Sequence, residues 1–347
     1  MHKTRVLFIR FSSIGDILLT APAVDAMRKA LDGPFEIHFL TKSSMRPVLA
    51  GFRELVDVVH TIDKSTQEVL PSLKALAFDH IIDLHNNLRS RRVKRNLDGI
   101  SFTVDKQNLA KWLLVRGWRT NPIPHIVDRY FEAFSGAFGA ELPSQWPTLF
   151  GESELPPRLT GPLDEGKQKR TSAMVALALG ATHDGKRIPA ESFRQIVQAL
   201  LPQGVIMILL GGETEASLGQ ELATLHADQV VNLAGQTSIS ESAAVLREAT
   251  VAVAGDTGMM HLAAAMGTPV ITMWGCTRPS LGMSVWQPPN GSANLIPAER
   301  NGEKPCSKLG NQCRFGVDLC IHHVDPETVI STLLNQTAHA TPSHPKG

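Results

Sequence analysis

Along almost the whole chain, short runs of β-branched and aliphatic residues alternate with longer segments whose apolar residues recur at helical spacing. Runs of that kind read as strands buried on both faces. Parallel strands need a helical crossover between them, so the pattern predicts an α/β fold. In the first half the runs are Val6–Arg10, Glu36–Leu40, Val56–Ile62 and His80–Leu84, with helical patterns such as Ala23–Leu31 and Gln67–Leu76 between them. The stretch Gly151–Arg170 is rich in Pro, Gly and charge without apolar periodicity, and reads as a linker. The alternation restarts at Ala173–Leu179 and continues at Val205–Leu210, Val230–Leu233, Val251–Ala254 and Val270–Trp274. The expectation is two Rossmann-like parallel-sheet domains, residues 1–160 and 161–336, facing across a cleft at the carboxyl ends of their strands. Residues 337–347, small and polar, read as a frayed tail.

A length of 347 residues gives each half enough chain to bury its own core. The net charge of +1 excludes a whole-molecule case for nucleic-acid binding, so any electrostatic function must come from local clustering. No apolar run approaches the roughly 20 residues that span a bilayer, and the start reads as a first buried strand, not a signal. Four cysteines argue against a disulfide scaffold and for a reducing compartment, so the expected location is cytoplasmic.

Chemistry concentrates in the loops that follow the strands. Gly180-Ala181-Thr182-His183-Asp184-Gly185-Lys186 nearly spells a phosphate-binding P-loop, but Arg187 stands where the metal-binding Ser or Thr belongs. Pro189 suits the first turn of a helix over Ala190–Leu201, which leaves Lys186 in the loop before it. A lysine and the Thr182 hydroxyl presented to a phosphate is the preferred reading, a plain surface loop the alternative. Next, Ala254-Gly255-Asp256-Thr257-Gly258-Met259-Met260-His261 joins a strand to the helical pattern Met260–Met266. Asp256 or Thr257 can cap that helix, Gly258 allows close approach, and its free N–H groups suit a pyrophosphate. The Asp256 carboxylate would repel phosphate, so it should cap the helix or turn to sugar hydroxyls. His261 can donate to the same ligand; a capped helix with a packed histidine is the alternative. Gly211-Gly212-Glu213 offers a carboxylate to a ribose, or is an ordinary turn.

In the first half, Ser12-Ser13-Ile14-Gly15-Asp16 puts an acid at the carboxyl end of the first strand. An ionised carboxylate there can take the proton of an attacking hydroxyl, or can simply stabilise a helix start. Arg89, Arg91, Arg92, Lys94 and Arg95 form a dense basic run, extended by Lys106, Lys111, Arg116 and Arg119. It reads as a solvated helix face, or as a site for an anionic acceptor or an anionic membrane surface. Trp112, Leu113, Leu114 and Trp118 interleave with it, which suits peripheral membrane contact. Cys306, Cys313 and Cys320 recur every seven residues, with His322 and His323 close behind. Zinc sites use tighter pairs, so reduced, partly buried thiols are expected and no metal site is predicted.

Together these pieces resemble glycosyltransferase family 9, the heptosyltransferases of the lipopolysaccharide inner core. The resemblance runs from about Arg5 to about Leu334, and its most specific stretch is Gly255 to Pro269, which begins Gly255-Asp256-Thr257-Gly258-Met259-Met260-His261. Ser13-Ile14-Gly15-Asp16 with Pro22, Asp83-Leu84-His85-Asn86-Asn87-Leu88-Arg89-Ser90, and His125-Ile126-Val127-Asp128-Arg129-Tyr130 add to it. The resemblance implies a GT-B fold, an ADP-heptose donor (or another nucleotide sugar) on the carboxyl lobe, and inversion by direct displacement. It implies an acceptor on the amino lobe, a lipopolysaccharide core precursor. The basic run makes that acceptor anionic, with Ser13, Arg89, Arg91 and Arg92 as the expected contacts, and with Trp112 and Trp118 suits peripheral attachment to the inner membrane surface. By matching positions, Asp16 is similar to the family's base and Lys186 to its donor-phosphate lysine. Thr182, Glu213, Asp256, Thr257, Gly258 and His261 are similar to its donor contacts. No cofactor is obligatory on this reading, Mg²⁺ being at most stimulatory. Ala181, where some members have a second Thr, and Cys276-Thr277-Arg278-Pro279, where Gly-Pro-Thr is commoner, depart from the pattern.

Overall fold

The alternation folds into two parallel sheets, seen here in a computed structural model that describes residues 2–151, 153–157, 159, 173–300, 302 and 304–338. In the first half the order is β1 (Thr4–Ile9), α1 (Ile14–Leu18), α2 (Ala21–Ala30), β2 (Phe35–Lys42), α3 (Arg46–Leu49), β3 (Val58–Ile62), α4 (Leu70–Leu76), β4 (His80–Asp83), α5 (Leu88–Arg95) and β5 (Ile100–Thr103). Then come α6 (Asn108–Arg116), α7 (Ile126–Glu132) and α8 (Ser135–Phe138). The sheet runs β3-β2-β1-β4-β5, every pair parallel, with Ile9 opposite both Leu40 and Asp83. Leu7, Ile9 and Phe11 bury their side chains with Leu40, Ile62, Leu73, Ile81 and Val93.

The second half repeats the scheme with β6 (Met174–Ala178), α9 (Ala190–Leu200), β7 (Ile206–Leu210), α10 (Ala216–Ala223), β8 (Val230–Asn232), α11 (Ile239–Glu248), β9 (Val251–Gly255), α12 (Gly258–Ala265), β10 (Val270–Met273), β11 (Ala293–Leu295) and α13 (Pro326–Ala338). Its sheet runs β8-β7-β6-β9-β10-β11, again all parallel. Every residue of β6, β7 and β9 is buried, as a central strand covered on both faces must be. In both sheets the strand order reverses beside the first strand, between β1 and β4 and between β6 and β9. Loops leaving the carboxyl ends of those two strands part to opposite sides, opening a crevice at that point.

The chain divides into two units, Met1–Asn108 with Pro124–Gly151, and Leu109–Ile123 with Glu152–Gly347. The break after Gly151 lies near the expected boundary, while most of the expected linker falls outside the described residues. One segment departs from expectation: residues 109–123 belong to the second unit. Leu114 and Ile123 bury against Leu281, and the Ile123 N–H donates to the Ser280 carbonyl (2.9 Å). The expected tail is shorter than read, because Thr337 and Ala338 complete α13; residues 339–347 lie outside the description. Among the described residues no helix is long and apolar enough to cross a membrane.

Candidate active site

The donor-side residues gather at the switch point of the second sheet. The loop after β6 carries Lys186 in a single 3₁₀ turn, Asp184–Lys186, and Pro189 caps the following helix α9. The loop after β9 carries Asp256, with Thr257 as the N-cap of α12. Lys186 Nζ and a carboxylate oxygen of Asp256 are 2.6 Å apart, with side-chain exposures of 19% and 7%. Of the two roles expected of Asp256, capping falls away, because Thr257 takes the N-cap position of α12. Asp256 pairs instead with the lysine that the sequence assigns to phosphate. Such proximity needs Gly255, since a β-carbon there would collide with the Lys186 carbonyl.

Thr257 makes no side-chain cap bond, and its hydroxyl is buried without a hydrogen-bond partner among the described residues. The first N–H groups of α12, starting at Gly258, have no partner within the helix and carry its positive end. His261 lies on the same turn and is buried. Thr182 and Glu213 stand exposed on the loops after β6 and β7.

Sequence reasoning missed Glu215. It is buried, and its carboxylate accepts from the Gly212 N–H (3.0 Å) and the Thr214 hydroxyl (2.9 Å). Arg187, which ends the P-loop likeness, lies 3.5 Å from Glu215 and donates to the Ala181 carbonyl (2.8 Å). The near-P-loop is therefore braced by its own side chains. Its departure at Arg187 is structural.

On the first sheet, Asp16 sits on α1, just past β1. One of its oxygens lies 2.8 Å from an Arg10 guanidinium nitrogen. The other accepts from the Ser13 N–H (3.1 Å) and the Ser13 hydroxyl (2.9 Å). Burial alone would raise this carboxyl, but the Arg10 charge and the Ser13 donors outweigh it and hold it at about 2. Asp16 is thus ionised and fixed in direction. Ser13, expected at the acceptor, spends its hydroxyl on Asp16. Arg10 is in turn held by the Ser12 and Leu84 carbonyls (2.8 and 2.7 Å) and lies over the Tyr130 ring.

His85, after β4, accepts from the Phe11 N–H (3.4 Å). Burial, with the Arg10 and Lys106 charges, holds its imidazole neutral at about 4. Buried Arg129 donates to the Pro124 and Lys106 carbonyls, which anchors the Lys106 segment in this unit. Arg10, His85, Lys106 and Tyr130 thus surround or support Asp16. In the sequence His85 and Tyr130 belong to two of the short motifs, Lys106 extends the basic run, and Arg10 only ends a strand.

The basic run becomes α5, capped by the Asn87 side chain on the Ser90 N–H (2.9 Å), with Ser90 and Val93 turned inward. Arg89, Arg91, Arg92 and Arg95 face a groove of about 590 Å³ with Lys64, a residue the sequence did not single out. Five cations line this groove, and the Glu68 carboxylate, which accepts from the Lys64 and Ser65 N–H groups, stands behind it. Trp112 and Trp118 meet edge to face (5.2 Å) in the second unit together with Lys111, Arg116 and Arg119, and Arg116 lies over the Trp112 ring, while α5 belongs to the first unit.

Two units built on Rossmann-type sheets, one presenting a lysine beside a helix start and the other a fixed carboxylate, define a GT-B-type glycosyltransferase architecture. The glycosyltransferase family 9 (heptosyltransferase) profile matches residues 67–315, and the chain belongs to that family. Lipopolysaccharide heptosyltransferase 1 of Escherichia coli strain K12 is 25% identical over 297 residues, covering 80% of this chain and 89% of the relative. The family 9 glycosyltransferase of Veillonella parvula superposes with a TM-score of 0.73 at 16% identity, over 97% of this chain and 98% of that one. The E. coli structure named ADP-heptose lps heptosyltransferase II gives 0.70 at 18%, over 96% and 99%. At these identities the two structures establish the fold.

Proposed function

We propose that the chain is an inverting glycosyltransferase that moves heptose from ADP-heptose to an anionic inner-core lipopolysaccharide precursor. The names of its relatives support the donor and the acceptor class. The observation that carries the reading is Lys186 Nζ, held by Asp256 beside the open start of α12. A lysine and a helix N-terminus together suit a pyrophosphate.

In the proposed reaction the Asp16 carboxylate takes the acceptor hydroxyl's proton as that oxygen attacks the anomeric carbon. The bond from that carbon to the ADP oxygen breaks, and its electron pair leaves on ADP. Lys186 and the first N–H groups of α12 meet the negative charge where it develops. The groove of Lys64, Arg89, Arg91, Arg92 and Arg95 takes the acceptor's anionic groups.

The test is turnover and thermal stabilisation across ADP-, UDP- and GDP-linked sugars. ADP-heptose should give the highest kcat/KM, and at 100 times its Kd should stabilise the fold by about 2.7 kcal/mol. Faster transfer from another nucleotide hexose would replace the donor assignment. Binding without turnover for every donor would make the chain an inactive sugar-nucleotide binder.

A further inference from the structure

All four cysteines of the chain converge at one point of the second unit. Cys276 follows β10, while Cys306, Cys313 and Cys320 come from the segment between β11 and α13. Their four sulfur atoms lie within 4.8 Å of one another. Cys306 and Cys320 are 3.5 Å apart, Cys313 and Cys320 3.6 Å. No pair is bonded, and these separations far exceed the roughly 2.05 Å of a disulfide.

They do match another geometry. Four sulfurs placed about 2.3 Å from a common centre in a tetrahedron are about 3.8 Å apart along each edge. The segment itself gives the cluster a task. Residues 296–319 form no helix or strand among those described, and a structureless stretch of that length inside a folded unit needs an internal tie. Reading the seven-residue spacing of Cys306, Cys313 and Cys320 as too wide for zinc overlooked Cys276, which supplies the fourth sulfur from outside that segment.

We propose that Cys276, Cys306, Cys313 and Cys320 together bind one thiolate-preferring divalent cation, zinc or ferrous iron, in a closed structural site. Four protein sulfurs leave no open position for substrate or water, which is the mark of a structural site. Binding releases the thiol protons, so affinity falls as pH falls.

The site also braces the donor loop. The Cys276 N–H donates to the Gly185 carbonyl (2.8 Å), and the Gly185 N–H donates to the Gly310 carbonyl (3.1 Å). The Cys306 N–H donates to the Cys276 carbonyl (2.8 Å). A β-carbon on Gly185 would lie 2.8 Å from the Cys276 sulfur. Lys186 is the next residue, so the turn that aims it rests on the cluster. This second part depends on the donor reading of Lys186; the metal does not.

The experiment is elemental analysis of the full-length protein, purified under reducing conditions without added metal or chelator. About one zinc or iron per chain is expected, zinc staying colourless and iron gaining strong visible absorption only on oxidation to the ferric state. Replacement by Co²⁺ should bring the intense visible bands of tetrahedral cobalt thiolate. Native wild-type thiols should resist a thiol reagent until the metal is stripped, and Cys313→Ser should lose the metal. Metal-free wild type with four reactive thiols, or with disulfides by mass, would overturn the site, whether or not the variant folds. ADP binding by folded Cys313→Ser should weaken about 10-fold, the usual scale for losing a supporting contact. Unchanged ADP affinity in a metal-free variant would overturn the bracing role.

Discussion

Asp16→Asn separates the two things that the Asp16 carboxylate does. Asn keeps the shape and can still accept from Ser13, but it loses the charge facing Arg10 at 2.8 Å. The carboxyl sits at about 2 against an ordinary 3.8. A folded value below the unfolded one stabilises the fold above about pH 4, and that stability is lost as pH falls through about 2. The difference is worth about 2 kcal/mol at neutral pH, since the side chain is only 23% exposed. For the first unit, which lies between the sizes at which 1 kcal/mol shifts Tm by about 4–8 °C and by about 2–4 °C, that lowers Tm by roughly 6–10 °C. Catalysis should suffer more. General-base assistance is typically worth about 10²–10⁴-fold, and Arg10 weakens the base by stabilising its anion, so a loss near 10² is expected. The assay is steady-state kinetics beside donor calorimetry, at a temperature where the variant is fully folded. Donor affinity should stay near wild type. Because Asp16 and His85 are held at about 2 and about 4, neither should give kcat/KM an acidic limb above about pH 5. Near-normal turnover of folded Asp16→Asn, or a limb near pH 6 that the substitution abolishes, would refute the assignment.

Other parts of the site carry their own tests. Lys186→Ala should weaken ADP binding and lower kcat together, because its charge contacts the diphosphate at rest and counts for more as ADP departs; calorimetry and kinetics on one preparation check this. Asp256→Asn releases Lys186, so ADP should bind at least as tightly while transfer slows; a loss of ADP affinity beyond about 10-fold would contradict the pairing. Turnover should persist in excess EDTA, with Mg²⁺ at most stimulatory, because lysine and helix end supply the compensating charge; complete loss restored by free Mg²⁺ would refute it. Weak attachment to anionic membranes is expected from the cations of α5 and Lys64. Cosedimentation with anionic vesicles should fall as salt rises, and equal binding to neutral vesicles would count against it.

The parts of the fold that were legible are those where burial leaves a periodic trace. The central strands β1, β6, β7 and β9 are runs of apolar residues because helices cover both their faces. β5 and β11 were not legible: they are short strands at the ends of their sheets, largely or partly exposed, with no such trace. Residues 109–123 were assigned to the wrong unit because only the contacts of Leu114 and Ile123 with Leu281 decide the matter. At the site, strand-to-loop position pointed to Asp16, Lys186 and Asp256 as individual residues. Their partners were hidden. The Lys186–Asp256 pair joins loops seventy residues apart, and Arg10 read simply as the polar end of a strand.

The two ion pairs are built differently, and on the proposed reading the difference follows from what each must do. Arg10 has three anchors, the Ser12 and Leu84 carbonyls and Asp16, so a ligand would have to break a buried network to draw it away. The pair is fixed, and a base should be fixed, because proton transfer needs one direction and one distance. Lys186 is the opposite case. Its flexible stem ends on Asp256, and a lysine this buried would cost several kcal/mol without a counter-charge. Asp256 removes that cost while the donor is absent. A diphosphate with two charges can then take the ammonium from a carboxylate with one. That exchange leaves Asp256 buried and in need of hydrogen-bond donors. Hydroxyls of the sugar next to the diphosphate can supply them, and ADP, whose own hydroxyls are on its ribose, has lost those. The pair that stores the lysine thereby favours a nucleotide that still carries its sugar over the product that has lost it.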